Sequence, residues 1–261
     1  MMQVKPPAVA GLFYPADPDE LRDMLRNLFA HADAASAERP QALIAPHAGY
    51  QYSGPVAANA YAILAPWAAE IHRVMVLAPS HRVPFAGIAA SSADVFRTPL
   101  GDIPVDRAAV TRLLEDPAVQ ALDLAFAEEH ALEVQLPFLQ SVLNDFSLIP
   151  LIVGEADAAD VGRVIEATWT PDTLIVVSSD LSHYLDYRSC QQRDRSTSQA
   201  IEHRDAEHIG PYDACGAYPI RGLLAAAERH GWQVRTLDLR NSGDTSGDKS
   251  RVVGYGAYEF F

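Results

Sequence analysis

The 261-residue chain is poor in cysteine, nearly free of lysine and short of positive charge. Cys190 and Cys215 are its only cysteines, too few for a disulfide framework, so a reducing, cytoplasmic setting is expected. Lysine occurs at Lys5 and Lys249 alone, leaving arginine to supply the other basic side chains. The 20 Lys and Arg stand against 34 Asp and Glu, a formal charge of −14. Non-specific nucleic-acid binding and docking on anionic lipid both need clustered positive charge, so neither partner is expected. Long apolar runs are missing as well. The longest stretch without Asp, Glu, Lys or Arg, Pro40 to Ala69, is interrupted by Pro46, Pro55 and Pro66 and by His47, Gln51 and Asn59. A spanning helix needs about 20 predominantly apolar residues in succession, so no membrane span is expected. The first residues, MMQVKPPAVAGLFYPADPDE, are broken by proline and run on into acids, unlike a signal peptide.

What is present is the 49% hydrophobic content of a globular chain with a sizeable core. No segment reads as a linker and no internal repeat is visible, so residues 1–261 are taken as a single domain. Apolar runs at Ala42–Ala45, Val74–Ala78, Leu148–Val153 and Leu174–Val177 read as strands buried on both faces. Helical patterns fall at Leu21–Phe29, Pro55–Leu64, Arg107–Leu114, His130–Leu143, Ala159–Ala167, Arg193–Glu202 and Ile220–His230. The last of these ends in His-Gly, a helix stop. Two β-like runs close the chain, Gln233–Leu239 and Val252–Phe260, around a loop by composition at Asn241–Asp248. Strands alternating with helices predict an α/β fold with a mainly parallel central sheet covered by helices on both faces.

The chemistry lies just beyond the strand ends. Ala45-Pro46-His47, Ala78-Pro79-Ser80-His81 and Ser178-Ser179-Asp180-Leu181-Ser182-His183 each deliver a histidine soon after an apolar run stops. In open α/β sheets ligands bind at the carboxyl ends of the strands, so these histidines can converge without being neighbours in sequence. Neutral imidazole is the commonest nitrogen ligand for zinc, iron and copper, and a catalytic metal site usually keeps three protein ligands and an open position. Spacing leaves the third ligand open. Asp180 would complete a two-histidine, one-carboxylate face suited to Fe(II), whereas Cys215 would bring a sulfur suited to zinc or Cu(I) as well as iron. Cys215 stands at the head of a helical stretch, which favours its thiolate; Cys190 has no such setting and reads as incidental. His130 and Glu133 are three apart, as on one helix face, and with Glu129 are read as facing the pocket. Tyr50 and Tyr52 come soon after His47 and are candidates to line the same crevice or to pack. His31, His72, His203, His208 and His230 sit in charged or linker contexts and read as solvated.

These motifs together resemble the Memo family, whose bacterial and archaeal members include AmmeMemoRadiSam system protein B. The resemblance runs nearly end to end: Ala10-Gly11-Leu12-Phe13-Tyr14-Pro15, Ile44-Ala45-Pro46-His47-Ala48-Gly49-Tyr50, Pro79-Ser80-His81, Phe96-Arg97-Thr98-Pro99-Leu100-Gly101, Glu129-His130-Ala131-Leu132-Glu133-Val134-Gln135-Leu136-Pro137, Ser178 to His183, Cys215-Gly216 with Pro219-Ile220, and Asn241-Ser242-Gly243-Asp244. It implies a fold like the class III extradiol, LigB-type dioxygenases, which use non-haem Fe(II). It implies metal ligands at His47, His81 and Cys215, with Asp180 and His183 lining the same pocket. The family carries cysteine where those dioxygenases carry a glutamate ligand, which resolves the third ligand toward sulfur and shifts preference toward Cu(I) or zinc. A thiolate near O₂ is also exposed to oxidation. A radical-SAM partner is implied by family context; a phosphopeptide role is not carried over, since no arginine cluster is present.

Three functions are open to such a chain. The first is an Fe(II) oxidoreductase acting on a small-molecule substrate, with His183 as general acid–base and Asp180 orienting it. The second is a non-catalytic copper- or iron-binding or partner-binding protein. The third is a zinc-dependent hydrolase.

Overall fold

Apolar runs with no polar face can satisfy both their backbone and their side chains only as inner strands of a covered sheet. The computed structural model describes residues 2–33, 35–245 and 247–261. Its strands are β1 (Val4–Lys5), β2 (Ala42–Ala45), β3 (Arg73–Pro79), β4 (Ile88–Ala90), β5 (Val95–Thr98), β6 (Gly101–Pro104), β7 (Val119–Ala121), β8 (Ser147–Val153), β9 (Thr173–Ser178), β10 (His183–Leu185), β11 (Val234–Asn241) and β12 (Val252–Phe260). The helices are α1 (Pro18–Ala30), α2 (Tyr50–Ala62), α3 (Arg107–Leu113), α4 (Leu124–Ala127), α5 (Leu136–Val142), α6 (Ala158–Thr168), α7 (Tyr187–Glu202), α8 (Ala217–His230) and α9 (Ser242–Thr245).

The large sheet runs β10-β12-β2-β9-β3-β8-β4-β7, with β11 also paired to β12. Its middle, β2-β9-β3-β8, is parallel and built from the four apolar runs. Every residue of β2 and β9 is buried, as is all of β3 and β8 beyond the first residue. The flanks are mixed: β12 meets β2 antiparallel and β4 meets β8 antiparallel. Antiparallel pairing of β11 with β12 results from the short connection between them, since parallel neighbours need a long crossover. A second sheet, β1-β5-β6, stands apart. Helix α2 packs on β2, β11 and β12 and against α1 and α5, while α8 packs on β3, β9 and α6, with α3 against α6 and β8. The fold is therefore the expected α/β arrangement with helices on both faces.

Local chemistry sets the boundaries. The Asp17 carboxylate accepts from the backbone N–H of Asp19 and Glu20 and caps α1, with Pro18 in its first turn. Asp186 caps α7 in the same way, so that helix starts at Tyr187, earlier than its apolar pattern suggests. Helix α8 ends at Gly231 in the left-handed region, as His-Gly predicts.

Two expectations are corrected. The helix expected over His130–Leu143 begins only at Leu136, after one 3₁₀ turn at Glu133–Gln135, and residues 128–132 are irregular. The Glu129 carboxylate causes this by accepting from the backbone N–H of both His130 and Ala131, a turn that competes with helix. The Asn241–Asp248 segment holds one helical turn, Ser242–Thr245, with Gly243 N–H donating to the Asn241 side chain; Ser246 of that segment lies outside the described residues.

Because β2, β9 and β3 are adjacent and parallel, their carboxyl ends share one edge. Ala45 is level with Ser178, and Leu77 with Val177. His47, Asp180 and His81 leave the sheet within a few residues of that line.

Candidate metal centre

His47 is buried, 2% exposed, and held at two points. Its backbone N–H donates to Asp180 Oδ1 at 2.8 Å, and its Nδ1 lies 2.8 Å from Ser178 Oγ. Burial, reinforced by the charge of His81, holds its pKa well below the usual histidine value, so the ring is neutral.

His81 is gripped by a single carboxylate. Its backbone N–H donates to Glu129 Oε2 at 2.6 Å and its Nδ1 sits 2.9 Å from Glu129 Oε1. Burial works to raise the Glu129 pKa, but the bonds and charge of His81 outweigh it and hold the group at about 2. An ionised carboxylate only accepts, so His81 donates through Nδ1 and leaves Nε2 to another partner.

His130 completes a triangle of rings. Ring centroids are 5.1 Å apart for His47–His81, 5.3 Å for His47–His130 and 4.8 Å for His81–His130. Phe13 packs against the His130 ring, with the centroids 4.6 Å apart. Burial and then the charge of His47 depress His130 to about 4. Its Nδ1 is buried without a hydrogen-bond partner, 3.3 Å from Glu129 Oε1. Each of the three histidines offers a ring nitrogen, and those atoms lie within 4.8 Å of one another.

Cys215 reaches the same place from the turn before α8. Its Sγ lies 3.3 Å from His47 Nε2 and accepts the Asp180 backbone N–H at 3.3 Å. Gly216 permits this approach: a Cβ there would stand 2.7 Å from Ser179 Cβ and 2.8 Å from the Ser178 carbonyl oxygen. The helix start does not leave Cys215 a ready thiolate, as position alone suggests. Burial, and then the charge of Asp180, push the thiol well above the usual cysteine value.

Asp180 is buried, and desolvation raises its pKa against the pull of the His47 N–H and of His183. His183 opens β10 as an exposed side chain whose charge is felt by both His47 and Asp180. Tyr50 is fully buried; its hydroxyl donates to the Val134 carbonyl and its ring packs on Phe138 and Tyr14. Tyr52 is 39% exposed. Glu133 does not share a helix face with His130. It accepts from Ala8 N–H, Val9 N–H and the Tyr14 hydroxyl, and so anchors the segment that carries Phe13. His31, His72, His203, His208 and His230 are exposed. Cys190 is buried, donating to Asp194 and accepting from Ser182.

Ser178 and Gln135, which hold His47 from behind, are not distinguished by sequence reasoning. Ser178 sits in the Ser-Ser-Asp phrase at the end of β9, and that position is its one local signal.

The donor set fits a transition metal. Two imidazoles have Nδ1 occupied, which leaves Nε2 as the ligating atom, a third ring has an orphaned buried nitrogen, and the Cys215 sulfur lies 3.3 Å from one of them, at His47 Nε2.

The family model described as Memo-like protein matches residues 5–259. The chain belongs to the Memo family. A MEMO1 family protein of Methanopyrus kandleri is 36% identical, covering 97% of this chain and 98% of the relative. One from Aquifex aeolicus is 35% identical over 97% and 98%. The crystal structure of uncharacterized protein JW3007 from Escherichia coli K12 superimposes with a TM-score of 0.53 at 12% identity, over 84% of this chain and 99% of that one. At that identity the likeness bears on fold alone. Among the described residues of this Memo-family chain, no helix is long and apolar enough to cross a membrane.

Proposed function

We propose that this Memo-family chain is a metal-dependent oxidoreductase of the non-haem-iron type, with His47, His81 and Cys215 as ligands and Fe(II) as the working metal. The observation that carries the reading is the Cys215 sulfur 3.3 Å from His47 Nε2, together with a His81 whose Nδ1 is already committed to Glu129 and whose ring is 5.1 Å from that of His47. An iron ion there would supply Lewis acidity and one-electron chemistry toward O₂. The protein's own groups do the rest. Glu129 and Ser178 orient the rings, Asp180 fixes the backbone of His47, and Phe13 covers His130. His183, an exposed side chain at the start of β10, exchanges protons with a catechol-like substrate. A second reading rests on the sulfur itself: soft donors select Cu(I), which suits a carrier that hands metal to a partner.

The test is anaerobic purification, metal analysis and O₂ uptake with catechol-like substrates. Iron-dependent uptake that is lost in His183→Ala while metal stays bound supports the oxidoreductase. Stoichiometric Cu(I) without turnover supports the carrier, and stoichiometric zinc with ester or amide hydrolysis supports a hydrolase. His47→Ala and Cys215→Ala abolish stable metal binding and leave the fold intact, whereas His31→Ala changes nothing. Loss in His130→Ala with retention in Cys215→Ala would overturn the ligand assignment and place the third nitrogen at His130.

A further inference from the structure

Ser178 closes β9 with a fully buried side chain, and its hydroxyl meets three groups at once. Gln135 Nε2 is 2.7 Å away, the Ala131 carbonyl oxygen 2.6 Å and His47 Nδ1 2.8 Å. A hydroxyl has one proton to give and two lone pairs to accept with. The Ala131 carbonyl can only accept, so it takes the proton. The orientation of Gln135 is fixed by its other neighbours. Its Nε2 also faces the Pro46 and Ala45 carbonyl oxygens at 3.0 and 3.4 Å, while its Oε1 accepts from the Tyr61 hydroxyl at 2.6 Å. The atom pointing at Ser178 is therefore a donor, and it fills one lone pair. The remaining lone pair faces His47 Nδ1, and an N–H must meet it there.

We propose that Ser178 and Gln135 are positioning residues that lock the proton of neutral His47 on Nδ1, and so keep its Nε2 lone pair facing the cluster before any cation arrives. The opposite tautomer would require Ser178 to donate to the ring, leaving the buried Ala131 carbonyl unpaired. Gln135 acts twice, since its bonds to Ala45 and Pro46 also hold the end of β2 from which His47 projects. The role in metal binding rests on the reading above; the tautomer does not.

Two-bond ¹H–¹⁵N correlation spectra of the metal-free, reduced protein read the tautomer directly, because a protonated ring nitrogen and a bare one resonate far apart. The wild type is expected to show His47 with its proton on Nδ1, a result that needs no variant to fold. Ser178→Ala is expected to give a tautomer mixture and to weaken Zn²⁺ binding, measured by competition with a chromophoric chelator, by about 10- to 100-fold. A wild-type His47 protonated on Nε2 overturns the proposal. So does a folded Ser178→Ala protein with unchanged tautomer and unchanged Zn²⁺ affinity. A wild type with the Nδ1 proton that binds no Zn²⁺ supports the lock and overturns the metal-site reading instead.

Discussion

Glu129 holds His81 with both of its oxygens, one on the backbone N–H at 2.6 Å and one on the ring Nδ1 at 2.9 Å. One buried side chain thus sets both where the loop after β3 lies and which way its imidazole faces. Carboxylates placed behind a ligating histidine orient the ring and raise its basicity. Glu129→Gln keeps the volume but turns an amide NH₂ either on the His81 backbone N–H or on the His81 ring together with the backbone N–H groups of His130 and Ala131. Metal affinity is expected to fall by about 10- to 100-fold with the far-ultraviolet spectrum unchanged, as read by chelator competition. An unchanged affinity would mean that the grip serves the loop alone.

Gly216 is the point at which Cys215 depends on the absence of a side chain. Gly216→Ala drives a methyl against Ser179 Cβ and the Ser178 carbonyl, both rigid parts of the β9 edge. The cost expected for such overpacking is about 1–3 kcal/mol in chemical denaturation. Metal content is expected to fall with it, because Cys215 is the adjacent residue and a shift of the turn disturbs the 3.3 Å approach of its sulfur to His47.

The Glu133 carboxylate gathers three donors: Ala8 N–H, Val9 N–H and the Tyr14 hydroxyl at 2.6, 3.0 and 2.7 Å. Tyr14→Phe removes one bond to a charged acceptor and is expected to cost about 1.5–3 kcal/mol. Glu133→Gln leaves a single acceptor oxygen for all three donors and is expected to cost more. Urea denaturation measures the loss. Limited proteolysis is expected to show earlier cutting near residues 5–14, where Phe13 covers His130.

Phe138 lies at the centre of an aromatic group. Its ring is 5.2 Å from Tyr61 and nearly parallel to it, 4.7 Å from Tyr50, and edge-on to Phe29 at 5.8 Å. Phe138→Ala is expected to destabilise the fold by about 3–5 kcal/mol, the range for a large buried ring replaced by a methyl. A loss below about 1 kcal/mol in urea would show that α5 closes over the gap.

The strands that carry the site are readable because burial on both faces leaves an uninterrupted apolar run, which β2, β3, β8 and β9 all show. Strand edges then place His47, His81 and Asp180 together with no knowledge of side-chain contacts. The small strands β4 to β7 are not legible, because three or four residues are too few to show a period, whether fully buried as in β4 or partly exposed as in β5, β6 and β7. His130 reads as helical because Glu128, Glu129 and Glu133 imitate an acidic first turn. The turn that displaces the helix is made by Glu129, and its link to His81, 48 positions away, exists only in three dimensions. The thiol of Cys215 departs from expectation for a related reason: a helix start is visible in sequence, while the burial that outweighs it is not.

The placement of β12 bears on how the chain is made. Residues 258–260 pair with Ala42–Ile44, so the inner edge of β2 finds its partner more than 200 positions later. During synthesis that edge, apolar on both sides, stays open until the ribosome has released residues near 260. Assembly of the sheet therefore waits until that distant stretch has been made, and the histidine at the tip of β2 can be set in its final place only then.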